Sequence, residues 1–123
     1  MCVVEGPTDL LTLSAWGVPG LALCGAALTD VVLRLLGRWA CLYLVLDDDD
    51  TGRKATARLQ AAFGPPAIPV LLLPGIKDPA VLAPRPDGER LFSAAICTAF
   101  GRQLANPSEV AAEAPQPCAE ESE

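Results

Sequence analysis

Two groups of carboxylates in this chain sit where chemistry is done. Glu5 follows directly on the short apolar run Cys2-Val3-Val4, and the acidic run Asp47–Asp50 follows directly on the continuously apolar segment Ala40–Leu46. Asp9 lies just beyond Pro7, and Asp78 closes the segment after Ile68–Leu73. Carboxylates spaced in this way can hold a hard divalent cation and leave one acid free to move a proton. Two of them about 4 Å apart repel by roughly 4 kcal/mol at an effective dielectric near 20. A following helix dipole offsets only about 0.3–1 kcal/mol per acid. If Glu5, Asp47 and Asp49 converge, a bound cation is the natural compensation. For Asp47–Asp50 alone, a solvated loop and helix cap explains the run equally well.

The elements that must position these residues read as alternating strands and helices. Cys2-Val3-Val4 is a strand stopped by Glu5-Gly6, and Pro7 suits the first position of a helix that Gly17 ends. Pro19-Gly20 opens a second strand, Leu21–Cys24, closed by Gly25. Thr29 or Asp30 caps a helix with Val31, Val32, Leu35 and Leu36 at helical spacing, and Gly37 stops it. Ala40–Leu46 reads as a central strand covered on both faces. Thr51-Gly52 leads into a helix to about Phe63, and Gly64-Pro65-Pro66 breaks it. Ile68–Leu73 is a fourth strand, Pro79–Leu82 a short helix and Gly88–Leu104 a final one. The alternation implies βαβ units and a parallel sheet, whose functional crevice lies outside the carboxyl ends of the strands. Glu5, Gly25, Asp47, Asp49 and Asp78 would all be delivered to that one edge.

Composition narrows the chemistry. The chain has 123 residues, enough for one core, with 51% hydrophobic but only 5% aromatic residues, so the core must be aliphatic. No histidine is present, which removes Ser-His-Asp and Cys-His catalysis and every imidazole metal site. A metal would be held by oxygen, which selects Mg²⁺ or Mn²⁺. The five cysteines are widely spaced without a CxxC pair, and Cys24 and Cys41 fall in apolar runs, as packing residues do. Reduced cysteines, apolar stretches too short for a bilayer and no signal-peptide pattern lead to the expectation of a cytoplasmic protein with no membrane partner. The net charge of −6 argues against a free-standing nucleic-acid binder, because the few basic residues form no stripe beyond Arg53, Lys54 and Arg58. From Asn106 onward, Pro, Ala, Ser and Glu dominate, the composition of a disordered acidic tail.

The motifs together resemble a known family. Val3-Val4-Glu5-Gly6-Pro7-Thr8-Asp9 resembles the opening motif of the Toprim domain, shared by bacterial primases, topoisomerases and several nucleases. Leu44-Val45-Leu46-Asp47-Asp48-Asp49-Asp50-Thr51-Gly52-Arg53-Lys54-Ala55 is similar to its second motif, Asp-x-Asp-x-x-Gly-Arg-x-Ala after two hydrophobic residues. Leu73-Pro74-Gly75-Ile76-Lys77-Asp78-Pro79 is similar to the primase-type segment with Lys-Asp-Pro. The resemblance implies an α/β, Rossmann-like Toprim fold, with a four-stranded, mainly parallel sheet flanked by helices. It covers about Val3 to Ala83. A catalytic domain is expected over residues 1–84, a helical extension over 85–105 and the tail over 106–123.

The resemblance also implies roles. Glu5 would be the acid or base that assists proton transfer. Asp47 and Asp49 would ligate Mg²⁺, with Asp9 and Asp78 as further candidates whose ordinary roles are a helix-dipole partner and a turn residue. Gly6, Gly25 and Gly52 would let backbone approach phosphate, and Arg53 would contact phosphate or form a surface ion pair. Asp48 and Asp50 are read as solvated. Tyr43, the only tyrosine, lies inside the third strand and is a poor nucleophile for a topoisomerase. The Gly-Arg-Lys-Ala and Lys-Asp-Pro segments lean towards the primase or primase-helicase branch. The expected partners are nucleotides and a DNA or RNA-primed DNA template, with a separate DNA-binding or helicase domain or protein supplying the basic surface. Gly75 stands where that branch often has another acid. A small Toprim nuclease, and a non-catalytic metal- or phosphate-binding remnant, remain open beside it. A receiver-type domain ranks last, because it wants paired acids where this chain has Glu5-Gly6.

Overall fold

The computed structural model describes residues 1–105, so the acidic tail expected over 106–123 lies outside the described residues. Elements alternate along the chain as β1 (Cys2–Val4), α1 (Pro7–Ala15), β2 (Gly20–Ala22), α2 (Asp30–Leu36), β3 (Leu42–Val45), α3 (Asp50–Phe63) and β4 (Ala67–Pro69). A 3₁₀ turn (Pro79–Leu82) and α4 (Gly88–Ala105) follow. The strands form one sheet in the order β2-β1-β3-β4, and every pairing is parallel. Val3 is aligned with Leu21 on one side and Leu44 on the other, so β1 and β3 end side by side. That register brings Glu5 and Asp47 to the same edge.

Strand alternation divides the apolar side chains between two cores. Cys2, Val4, Val45, Ile68 and Val70 face Leu13 of α1, Leu82 of the 3₁₀ turn, and Phe92 and Ala99 of α4. Val3, Leu42, Leu44 and Ala67 face Leu36 of α2 and Leu59 of α3 on the other side. Both faces of the central strands are thus covered, which is why their sequences carry no polar alternation. Phe92 is fully buried with its ring centroid 5.5 Å from that of Trp16, so one of the few aromatics anchors α4 on the sheet.

Helix boundaries follow the local chemistry. Pro7 occupies the first turn of α1, and Gly17 past its end adopts a left-handed φ of 70°. Thr29, not Asp30, caps α2, its hydroxyl accepting the Val32 N–H at 3.4 Å. The apolar set expected for α2 is corrected by the packing. Val31 and Leu35 are exposed, and Val32, Leu33 and Leu36 make the contact. Seven residues make under two full turns of contact, so the side facing the sheet is narrower than the apolar pattern.

The strand ends also differ from expectation. β2 and β4 are shorter than Leu21–Cys24 and Ile68–Leu73, although single backbone bonds prolong the ladders. The Leu23 N–H donates to the Val4 carbonyl at 2.9 Å, and the Val70 N–H donates to the Leu44 carbonyl at 2.9 Å. Beyond Val70 the edge strand leaves the sheet, and Leu71 and Leu73 become exposed. Cys24 is exposed and left-handed at φ 52°, so it belongs to the turn after β2 and not to the core.

Candidate functional site

The carboxyl ends of β1 and β3 carry the acids, and each local turn decides what its acid can do. Glu5 leaves β1 with its carbonyl accepting the Cys24 N–H at 2.8 Å, and its side chain is half-buried. Burial pushes its carboxyl pKa above the ordinary glutamate value, and the negative charges of Asp47, Asp49 and Asp9 push it further in the same direction. Lys77 acts against them.

Asp47 follows β3 through Leu46 and points inward. Its Oδ1 is buried and, among the described residues, has no hydrogen-bond partner, while Oδ2 lies 3.8 Å from the Lys77 ammonium. Its pKa is raised, first by burial and then by Asp9 and Asp78. Asp49 is the N-cap of α3, with Oδ1 accepting the Gly52 N–H at 2.7 Å. The other oxygen, Oδ2, lies 3.7 Å from the Lys77 ammonium. One carboxylate therefore caps a helix and faces the site at once.

Asp9 is 4% exposed and ties two segments together. Its Oδ1 accepts the Ala80 N–H at 3.1 Å and its Oδ2 accepts the Gly6 N–H at 3.3 Å. Burial raises its pKa and the Ala80 hydrogen bond opposes that, while the carboxylate of Asp78 adds to the rise. Asp78 caps the 3₁₀ turn, accepting the Val81 N–H at 3.2 Å. Both residues thus have structural work at the rim of the site, and both send negative charge towards Asp47.

The glycines are accounted for differently. A Cβ on Gly52 would collide with the backbone carbonyl of Asp47, so this buried glycine lets the first turn of α3 close onto the end of β3. The close approach at Gly52 is therefore to the protein's own chain. Gly25 is exposed at φ 75° in the turn after β2, and Gly6 is the N-cap of α1 beside Glu5. Arg53 turns outward, its guanidinium 2.8 Å from both Asp48 and Asp50. Those two acids are exposed but ion-paired, which is the surface role among the alternatives for Arg53. Tyr43 sits away from the acids and lines an apolar cavity near the amino ends of the strands.

Lys77 is the residue to which sequence reasoning assigned no role. Its position next to Asp78, after the last strand, was the available signal. Its carbonyl accepts the Asp48 N–H at 3.1 Å, which pins the segment before the 3₁₀ turn against the acidic loop. As the side chains stand, no group of three or more His, Cys, Asp or Glu among the described residues is arranged to hold a metal ion. A divalent cation nevertheless fits the donor set. The unpartnered, buried Asp47 Oδ1 is a hard oxygen donor, and Asp49 Oδ2 and Glu5 are oxygen donors at the same edge.

A family model described as Toprim-like matches residues 2–82, from the start of β1 to the end of the 3₁₀ turn. The chain belongs to the Toprim-like family. The matched region spans every strand and both acid-bearing turns, and the four-stranded parallel sheet with flanking helices is consistent with a Toprim fold. Toprim domains generally bind metal and act on nucleic acid, typically with Mg²⁺. No curated protein matches this Toprim-like chain. None of its described helices is long and apolar enough to cross a membrane.

Proposed function

We propose that this Toprim-like domain supports Mg²⁺-dependent phosphoryl or nucleotidyl transfer on nucleic acid, as the catalytic domain of a primase-type system. The observation that carries this reading is the buried Asp47 Oδ1, without a partner among the described residues, beside Asp49 and Glu5 at one sheet edge. Asp47 and Asp49 would hold the ion, with Asp9 and Asp78 keeping the surrounding loops in place and adding negative potential. The ion would supply charge neutralisation on the transferring phosphate. Glu5 would move the proton. Its raised pKa, caused by burial and by Asp47, Asp49 and Asp9, brings it closer to the working pH of a general acid or base.

The primase-type assignment rests on the Gly52-Arg53-Lys54-Ala55 and Lys77-Asp78-Pro79 segments. With Arg53 engaged by Asp48 and Asp50, and a net charge of −6, the template would be held by a separate basic domain or protein. A DNA or RNA-primed DNA template and nucleotides would be the substrates, in a cytoplasmic setting. One observation favours a second reading. The Lys77 ammonium already faces both Asp47 and Asp49, as it would in a remnant that no longer takes metal.

Calorimetric titration of Mg²⁺ and Mn²⁺ into the whole chain tests the proposal. Saturable binding that is lost in Asp47→Asn/Asp49→Asn is expected, and absence of binding in the wild type would leave the remnant reading. Glu5→Gln should retain the ion and lose activity. Primer synthesis that requires nucleotides, against nicking that does not, separates a primase from a nuclease.

A further inference from the structure

The Lys77 ammonium lies 3.8 Å from Asp47 Oδ2 and 3.7 Å from Asp49 Oδ2, facing the two carboxylates assigned above to the divalent ion. We infer that Lys77 is a tethered placeholder cation, which neutralises this acid pair in the metal-free protein and is displaced when the divalent ion binds. The inference rests on the metal reading of the site and adds a competitor within it.

Three features carry it. First, the ammonium is delivered by a segment held on both sides. The Asp48 N–H donates to the Lys77 carbonyl, Asp78 caps the 3₁₀ turn, and the Ala80 N–H donates to Asp9. The backbone of Lys77 is therefore held beside the acids, and the side chain has only to reach across. Second, the charges are sorted. Arg53 is taken by Asp48 and Asp50, which leaves Asp47 and Asp49 to Lys77. Third, the contact is loose. The Lys77 side chain is 56% exposed and both separations exceed hydrogen-bonding distance, so the pairing is weak and easily broken. Even with the lysine in place, Asp47 Oδ1 has no partner among the described residues. A single ammonium on a flexible stem faces one oxygen of each acid, whereas a divalent ion can engage more of them at shorter range.

A cation that only neutralises the acids should be replaceable by Mg²⁺, and its removal should favour Mg²⁺. Calorimetric titration of MgCl₂ into the wild type, Lys77→Met and Lys77→Arg is the first arm. About two- to fivefold tighter Mg²⁺ binding is expected for Lys77→Met, with Lys77→Arg close to wild type. Thermal unfolding without metal is the second arm. Lys77→Met should melt below the wild type, and saturating Mg²⁺ should close the gap. Unchanged or weaker Mg²⁺ affinity in Lys77→Met, with the wild type binding, overturns the inference and leaves the metal site standing. An unchanged melting temperature in the metal-free variant also overturns it. Binding by Lys77→Met but not by the wild type overturns displacement and makes Lys77 a permanent substitute for the ion, as in the remnant reading. Binding by neither removes the metal reading itself, and the competition with it.

Discussion

The two ends of the sheet use the same strands for opposite purposes. At the carboxyl edge, Glu5 and Asp47 are held close to one another with raised pKa values, and Asp47 keeps a buried oxygen without a partner among the described residues. At the amino edge, Val18, Pro19, Tyr43, Phe92 and Ile96 line an apolar cavity of about 300 Å³. A parallel sheet makes this division unavoidable, because every strand delivers its last residue to the same side. The charged edge gathers like charges around an unpartnered oxygen, and the apolar edge is lined mainly by nonpolar side chains. Electrostatic strain is concentrated where chemistry is proposed, and α4 spans both ends, its start against Leu82 of the 3₁₀ turn and Phe92 lining the apolar cavity.

Uncoupling the two ends is the most direct way to break the comparison. Phe92→Ala is expected to cost about 3–5 kcal/mol in urea unfolding, because it empties a fully buried site beside the existing cavity. Its Mg²⁺ affinity should match the wild type at temperatures where the variant is folded. A parallel loss of affinity would show that the edges are not independent.

A smaller loss of stability with the opposite selectivity is expected of Gly52→Ala. The new Cβ meets the Asp47 carbonyl, which is backbone and cannot rotate away. The helix start must move, at a cost of about 1–3 kcal/mol, and Asp47 and the Asp49 cap move with it. Calorimetry should show Mg²⁺ binding weakened well beyond what the melting temperature suggests. Wild-type affinity in this variant would mean that the α3 start does not set the site.

The subtlest effect sharpens the electrostatic side. Glu5, Asp9 and Asp47 all have pKa values raised above their ordinary values, each chiefly by burial. The folded state therefore binds their protons more tightly than the unfolded state does. Without metal, melting temperature should rise as pH falls from neutral towards these raised values, and the gain should be complete below the ordinary carboxylate range. Asp87, lowered by its hydrogen bonds and ion pairing with Arg85, works the other way at low pH. Saturating Mg²⁺ should reverse the trend above that window, because the ion requires the carboxylates deprotonated. A flat metal-free profile would show that the acids are better solvated than their burial implies.

Much of the fold was legible because it depends on local rules. Continuous apolar runs read as covered strands, Pro7 and Thr29 opened helices, and Gly17 ended one. The ends of β2 and β4 were less legible. Leu71 and Leu73 are as apolar as the strand before them, and only the loss of a neighbouring strand leaves them exposed. Cys24 misled in the same way, since an apolar run does not reveal where a turn begins.

By itself the sequence determined that acids follow β1 and β3, that no imidazole can ligate a metal, and that the chain lacks a basic stripe of its own. These properties depend on residue type and on order along the chain. Tertiary structure alone decided how four adjacent aspartates are divided. Asp47 and Asp49 face Lys77, and Asp48 and Asp50 face Arg53. It also decided that Asp9 ties α1 to the 3₁₀ turn across 71 residues. The physical reason is that a strand or cap is chosen within a few residues, where steric and hydrogen-bonding preferences are short-ranged. The field at a carboxylate is summed over whichever charges the packed sheet brings near, and chain order does not encode that sum.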